Sequence, residues 1–393
     1  MQLRGILSAS DFREDLSSRE PRRDSFYSKK SKLFMKSMYT TALVLLGMAR
    51  FDLAVSQSAT PDYKSRRGQI LHNIEGVFYE SSTGLFIETN GKNEKPHSYL
   101  WPLCALLQAA TESEAVSPGK QYMKPVLGAI RQYYNTAAPA PGYQAYVTSE
   151  QKDSRFYDDN QWIAIACLDA YNRTGEKDYL AIAEEIYRFM MTGYDEKTGG
   201  GLYWKEDEKN TKNTCSNGPG ILVALQLYQI KKEPEYLKTA ISLYDWTKKN
   251  LRASDGTYYD AIKVPSLKID SAKYSYNTGT MLQSAVLLHN ITGKKEYLDE
   301  ARALAEGSKK HFYKNNRLPD NYWFNVVLLR GFEELHKIDP QAGDYQIFIA
   351  DAERIWKDER DGKNLLGRKP VKTLIDQGAM LEMYARLERL AKE

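Results

Sequence analysis

A chain of 393 residues could by length alone hold two or three domains, and its 42% of apolar residues is ordinary for a soluble globular protein with a large core. The formal charge of +4 lies wholly in residues 1–60, which carry ten Lys/Arg and six Asp/Glu; the other 333 residues hold 45 side chains of each sign. A neutral body lacks the basic stripe that nucleic-acid binding needs, gives no reason to expect a polyanionic substrate, and fits a neutral polysaccharide.

At the N-terminus, Lys29, Lys30, Lys32 and Lys36 precede an apolar run over residues 37–49, and small residues follow at Ala54, Ser56, Ser58 and Ala59. Basic, then apolar, then small is the order of an export signal. The run has 13 residues, short of the roughly 20 that span a bilayer. We therefore expect 1–60 to be a basic leader and cleaved signal peptide, a retained anchor being the alternative. The mature protein would carry no membrane span and would be secreted, periplasmic or at the cell surface. Residues 1–34 are long and polar for the start of such a signal, which points to Met35 as the translation start.

Beyond residue 60 one pattern repeats. Segments 174–190, 231–246 and 292–312 each have a polar turn, then Tyr-Leu, then an amphipathic stretch; 61–79, 117–134 and 343–356 are looser copies. In the 174–190 copy Tyr179, Ile182, Ala183, Ile186, Tyr187 and Met190 share one helical face, with Glu184, Glu185 and Arg188 opposite. Between the copies lie runs that are apolar nearly all round, at 99–110, 162–171, 220–230, 281–291, 323–335 and 374–387. Such helices are buried on both sides. Six amphipathic helices alternating with six buried ones predict an all-α fold, an (α/α)6 barrel of six helical hairpins forming a single domain over 61–393. An open solenoid is the alternative.

The turns from buried to amphipathic helices are short, whereas the returns at 136–157, 192–213, 251–275 and 357–371 are long. Long loops gathered at one end of a scaffold carry function. The site is therefore expected just ahead of the buried runs, where the chain offers His97 and Tyr99; Tyr157, Asp158, Asp159 and Asn160; Asn213, Ser216 and Asn217; Tyr276 and Asn277; Asp320, Asn321, Tyr322 and Trp323; and Asp376 and Gln377. This set can hydrogen-bond hydroxyls and stack on sugar rings. Trp204 and Tyr203, in a polar loop, are expected to line the cleft, whereas Trp101 and Trp162 could equally be core. Cys104, Cys167 and Cys215 show no CxxC spacing, so neither a disulfide framework nor a zinc site follows, and no metal or cofactor is implied.

Asp158 and Asp159 are the sharpest feature. Asp before a helix often only caps it. A cap needs one Asp, however, and two adjacent residues with Cα atoms about 3.8 Å apart can hold their carboxyls about 5–5.5 Å apart, the separation used by retaining glycosidases. At that distance two charges repel by roughly 3 kcal/mol at an effective dielectric near 20, which separates their titrations by about two pH units. One carboxyl can then act as acid while the other is anionic.

The segment 157–162 (YDDNQW) resembles glycoside hydrolase family 76, the endo-α-1,6-mannanases, and segments 213–220, 274–282 and 321–335 are similar to that family in the same order. The resemblance spans about 62–393. It implies an (α/α)6 barrel, cofactor-free cleavage inside α-1,6-linked mannan, and retention of configuration, with Asp158 as nucleophile and Asp159 as acid/base. Asn217, Tyr276 and Trp323 fall in matching segments; Tyr157, Asn160, Trp204, Asn277 and Tyr322 complete the expected substrate-binding set. Where many relatives have Gln after Tyr-Asn, this chain has Thr278. Two rivals stand beside this reading: another sugar-processing enzyme on the same ring, and a catalytically silent glycan-binding protein that keeps the fold.

Overall fold

The computed structural model describes residues 61–392 apart from Asp320; the expected signal peptide lies outside the described residues. Twelve α-helices follow in chain order: α1 (Tyr63–Asn73), α2 (Leu100–Ala115), α3 (Met123–Ile130), α4 (Tyr157–Thr174), α5 (Lys177–Met191), α6 (Thr214–Lys231), α7 (Pro234–Leu251), α8 (Ser275–Thr292), α9 (Lys295–Phe312), α10 (Tyr322–His336), α11 (Gln346–Asp358) and α12 (Leu374–Leu390). The even-numbered helices are buried along most of their length, as their all-round apolar runs require.

Those six helices form a closed ring. Each packs on the next from α2 through α4, α6, α8 and α10 to α12, and α12 packs back on α2. Closure decides between barrel and open solenoid: the fold is an (α/α)6 barrel. The odd-numbered helices sit outside, α3 on α2, α5 on α4, α7 on α6, α9 on α8, and α1 and α11 against α12. Their amphipathic faces bury, for example, Ala183, Ile186, Phe189 and Met190 of α5. Inner helices can approach closely where a side chain is missing. A Cβ on Gly279 of α8 would stand 2.6 Å from the Leu328 backbone of α10, and one on Gly331 would stand 2.8 Å from the Gly279 carbonyl.

The ends differ as the loop lengths predict. Gly175, Lys232 and Gly293 terminate α4, α6 and α8 with φ of 74°, 59° and 71°, left-handed caps that stop a helix and turn the chain at once. Two-residue connections follow. At the opposite end the returns are long and carry short strands. The largest group is antiparallel, β1 (Thr211–Asn213) with β2 (Ala261–Lys263) and β2 with β3 (Ile269–Asp270). These loops crowd the N-termini of the inner helices.

Candidate active site

Three inner helices begin well ahead of their apolar runs. The helix expected from Trp162 starts at Tyr157, and those expected from Gly220 and Met281 start at Thr214 and Ser275. The polar residues expected in loops are therefore the first turns of α4, α6 and α8. Hydrophobic periodicity cannot see these turns, because a turn that faces a solvent-filled mouth needs no apolar side chains. Counting from each N-cap, the second helical position of the six inner helices is Trp101, Asp158, Cys215, Tyr276, Trp323 and Ile375, and the third is Pro102, Asp159, Ser216, Asn277, Phe324 and Asp376.

Asp158 and Asp159 thus sit side by side on the first turn of α4, both half-buried. The N-cap of α4 is Phe156 and no side chain caps the helix, so the pair is not explained as a cap. The helix dipole favours their anions, but burial outweighs it. Burial pushes the Asp158 carboxyl up to about 6; the Cys215 thiol, the main-chain N–H groups of Asp159 and Asp158, and the Trp204 indole pull in the other direction. Asp158 Oδ1 is buried without a hydrogen-bond partner. Asp159 is pushed well above the ordinary carboxylate range by burial, then by the charge of Asp158 and that of Asp153. Nothing comparable stabilises its anion, so Asp159 holds a proton where Asp158 is ionised. The two titrate as a pair, in the arrangement of a proton donor beside an anion.

Aromatic rings frame the pair. Trp204 is half-buried and meets Phe156 edge-on at 5.0 Å between centroids. Tyr276 stacks on Phe324 at 4.1 Å. Trp162 of α4 and Trp323 of α10, from opposite sides of the ring, meet at 5.4 Å, and Trp101 lies 6.1 Å from Trp323. These rings floor the mouth of the barrel. Behind the pair, the Cys104 thiol donates to the Asp159 carbonyl at 3.2 Å.

Several expected sugar contacts have another job. Asn160 is fully buried; its Oδ1 accepts from the Tyr143 N–H at 2.7 Å, and its Nδ2 donates to the carbonyls of Tyr143 (2.9 Å) and Phe156 (2.7 Å). Asn217 repeats the pattern on Leu202 and Asn213, and Gln377 on Leu366 and Thr373. All three occupy the fourth helical position of their helices. Each amide clamps a returning loop to its inner helix, with its donors and acceptor used. Tyr157 is buried against Phe189, with its hydroxyl on Thr192. Tyr322 is buried with its hydroxyl on Glu359. Tyr203, expected in the cleft, is buried and donates to Asp195 at 2.9 Å. Of the expected binding set, the structure brings Trp204, Tyr276 and Trp323 to the mouth. Asn277 reaches it through a partner, donating to Asp260 at 3.1 Å.

That partner was missed. Asp260 lies at the end of the loop before β2, and burial pushes its carboxyl up to about 6 while Asn277 pulls it down. Asn213 approaches the same carboxylate at 3.5 Å. The available signal was the convergence of Asn213, the N-cap residue of α6, and Asn277, in the first turn of α8, but only the tertiary structure supplies the loop between them. Cys215, read from the sequence only as lacking a CxxC partner, bonds through its thiol to the Asp158 carboxyl.

The family model described as glycosyl hydrolase family 76 matches residues 62–391. Mannan endo-1,6-alpha-mannosidase DCW1 of Saccharomyces cerevisiae is 27% identical over 184 residues, 43% of this chain and 41% of that protein. The chain spans about two-fifths to a half of the length of the curated relatives it matches. A solved family 76 mannosidase from Bacteroides thetaiotaomicron superposes with a TM-score of 0.75 at 28% identity, over 84% of this chain and 99% of its own. An inactive variant of the Salegentibacter alpha-1,6-mannanase, with two adjacent aspartates changed to asparagine and alpha-1,6-mannotriose bound, superposes at 0.72 with 25% identity, over 83% and 99%. With a family match of this extent on a closed (α/α)6 ring, the chain belongs to glycosyl hydrolase family 76.

Proposed function

We propose that the protein is a retaining endo-glycosidase that hydrolyses α-1,6-mannosidic bonds in mannan, using Asp158 as nucleophile and Asp159 as acid/base. The observation that carries this reading is the adjacent pair on the first turn of α4, with unequal environments: several groups stabilise the Asp158 anion, whereas burial and then the charge of Asp158 hold the proton on Asp159. The pair is the only Asp-Asp in the sequence. The Salegentibacter mannanase, inactive when two adjacent aspartates are replaced, supports assigning the chemistry here.

In the first step Asp159 protonates the leaving glycosidic oxygen as the Asp158 carboxylate attacks the anomeric carbon, forming a glycosyl-enzyme ester. Water, giving its proton to Asp159, then displaces Asp158 and restores both groups. Trp204 and Tyr276 offer faces for sugar stacking, and Asp260 a carboxylate for hydroxyls. No helix among the described residues is long and apolar enough to cross a membrane. With the leader expected over 1–60, we place the enzyme outside the cytoplasm, where mannan is met.

The test is to incubate the purified protein with linear α-1,6-mannan, follow new reducing ends, and read the first-formed anomer by proton NMR. The α-anomer supports the proposal. Absence of cleavage refutes the activity, and an initial β-anomer removes Asp158 as nucleophile. Asp158→Asn and Asp159→Asn should each lower turnover by orders of magnitude while remaining folded.

A further inference from the structure

The barrel has a second hollow. At the end away from Asp158 and Asp159, where the inner helices finish, a chamber of about 290 Å3 receives side chains from all six of them, among them Glu112, Asp169, Gln226, Gln283, Arg330 and Arg386. The Trp162 and Trp323 rings stand between it and the mouth, with the Arg330 guanidinium 5.4 Å from the Trp162 ring centre. Asp169 lies ten residues beyond Asp159 on α4, about 15 Å along the helix.

Deeply buried polar atoms of the lining lack partners. Arg330, 4% exposed, uses Nε and Nη2 on Glu382 at 2.7 Å each and leaves Nη1 unpartnered. Glu333, 3% exposed, binds Arg386 through Oε2 at 2.7 Å and leaves Oε1 unpartnered. Gln226 gives its amide N–H to Asp169 at 2.8 Å and leaves Oε1 unpartnered. A buried polar atom without a partner costs about 1–3 kcal/mol, and the ion network of this end holds all three in place.

Charge and size limit what can enter. Four carboxylates (Glu112, Asp169, Glu333, Glu334) face three guanidiniums (Arg330, Arg386, Arg389). Glu382 behind them adds a fifth carboxylate, but burial pushes Asp169 and Glu333 toward their neutral forms, so neither a strong anion nor a strong cation is favoured. The volume is near the low end of small-molecule sites, about 300–1,000 Å3. One guanidinium donor and two acceptors, with further amides on Asn172, Gln229 and Gln283, match groups that donate and accept at once, which describes vicinal hydroxyls. We propose that this far-end chamber is a second binding site, taking a neutral polyhydroxylated molecule the size of a single pyranose.

The test uses D-mannose and myo-inositol as probes. Crystals of the full chain are soaked in each, and Tm is measured with each probe for the parent and for Gln283→Trp, which fills the chamber and leaves the mouth intact. Expected are density for a probe bonded to Arg330, Glu333 and Gln226, and loss of about half the probe-induced rise in Tm in Gln283→Trp. Water alone in the chamber overturns the proposal. So does density in the soaks with an equal Tm rise in both proteins, which is binding at crystal concentration only. If Gln283→Trp does not fold, the soaks decide. Failure to cleave mannan leaves this inference standing, and cleavage with an empty chamber leaves the activity standing.

Discussion

Replacing Asn160 with Leu separates a loop clamp from a sugar contact. The side chains are close in volume, so the change mainly removes hydrogen bonds. It orphans the Tyr143 N–H, the Tyr143 carbonyl and the Phe156 carbonyl, all now bonded at 2.7–2.9 Å to a fully buried amide. Each orphaned buried group costs about 1–3 kcal/mol. With some recovery through loop relaxation and entering water, a loss on the order of 3–5 kcal/mol follows. For a domain of about 330 residues the unfolding entropy near Tm is roughly 0.7 kcal/mol/K, so Tm should fall by about 4–7 °C. The assay is thermal unfolding beside kcat and KM on linear α-1,6-mannan. Turnover should fall as well, because the Phe156 carbonyl lies just ahead of Asp158, while KM moves little. A variant with unchanged Tm and a KM raised tenfold or more would refute the clamp and restore Asn160 as a substrate contact.

Asp158→Asn should stabilise the fold near neutrality. A carboxyl at about 6 rather than 3.8 makes the folded state hold its proton longer, so stability falls as pH rises from 3.8 through 6; the variant escapes this loss and gains at most about 3 kcal/mol at pH 7 and nothing at pH 3. Denaturation at the two pH values checks it, and an equal difference at both would sink the account. The pH profile of kcat/KM should be a bell, with an acid limb near 6 as Asp158 ionises and an alkaline limb as Asp159 loses its proton; a flat profile between pH 4 and 6 contradicts the division of labour. Arg386→Met should cost about 3–5 kcal/mol, because Glu382 and Glu333 lose a guanidinium at 2.7 Å and Glu112 loses one at 2.9 Å; urea denaturation reads it, and a loss below 1 kcal/mol would mean the network repacks. Trp204→Ala should raise KM severalfold by removing a stacking face and move the acid limb slightly upward, because the indole no longer pulls the Asp158 carboxyl down, whereas an unchanged KM would take Trp204 out of the binding site.

The architecture was legible from residue 61 onward because burial writes itself into helical periodicity. The run at 162–171, apolar on every side, could only be an inner helix, and the 174–190 copy, apolar on one face, only an outer one. Loop lengths then told which end gathers the long returns around Asp158 and Asp159. The Asp158–Asp159 pair stood out in the sequence because acidic neighbours at a predicted helix start are more than a cap requires. Its placement on the first turn of α4 was not visible, since a turn that faces a polar mouth carries no apolar stripe.

What the sequence could not settle was which polar residues are spent on the fold. Asn160, Asn217 and Asp260 all sit where a sugar contact was plausible, yet the asparagines are consumed by loop backbones and the aspartate is held toward the mouth by Asn277. Such partners are distant in the chain, and hydrogen bonding depends on distances that no local pattern encodes. Ring closure likewise rests on α12 meeting α2, a contact between the two ends of the repeat. The sequence by itself determined the alternation of helices and the acidic pair, because these follow from burial and local chemistry. Only the tertiary structure decided the jobs of the amides and the unequal surroundings of the two carboxyls, because those depend on what each side chain meets across the barrel.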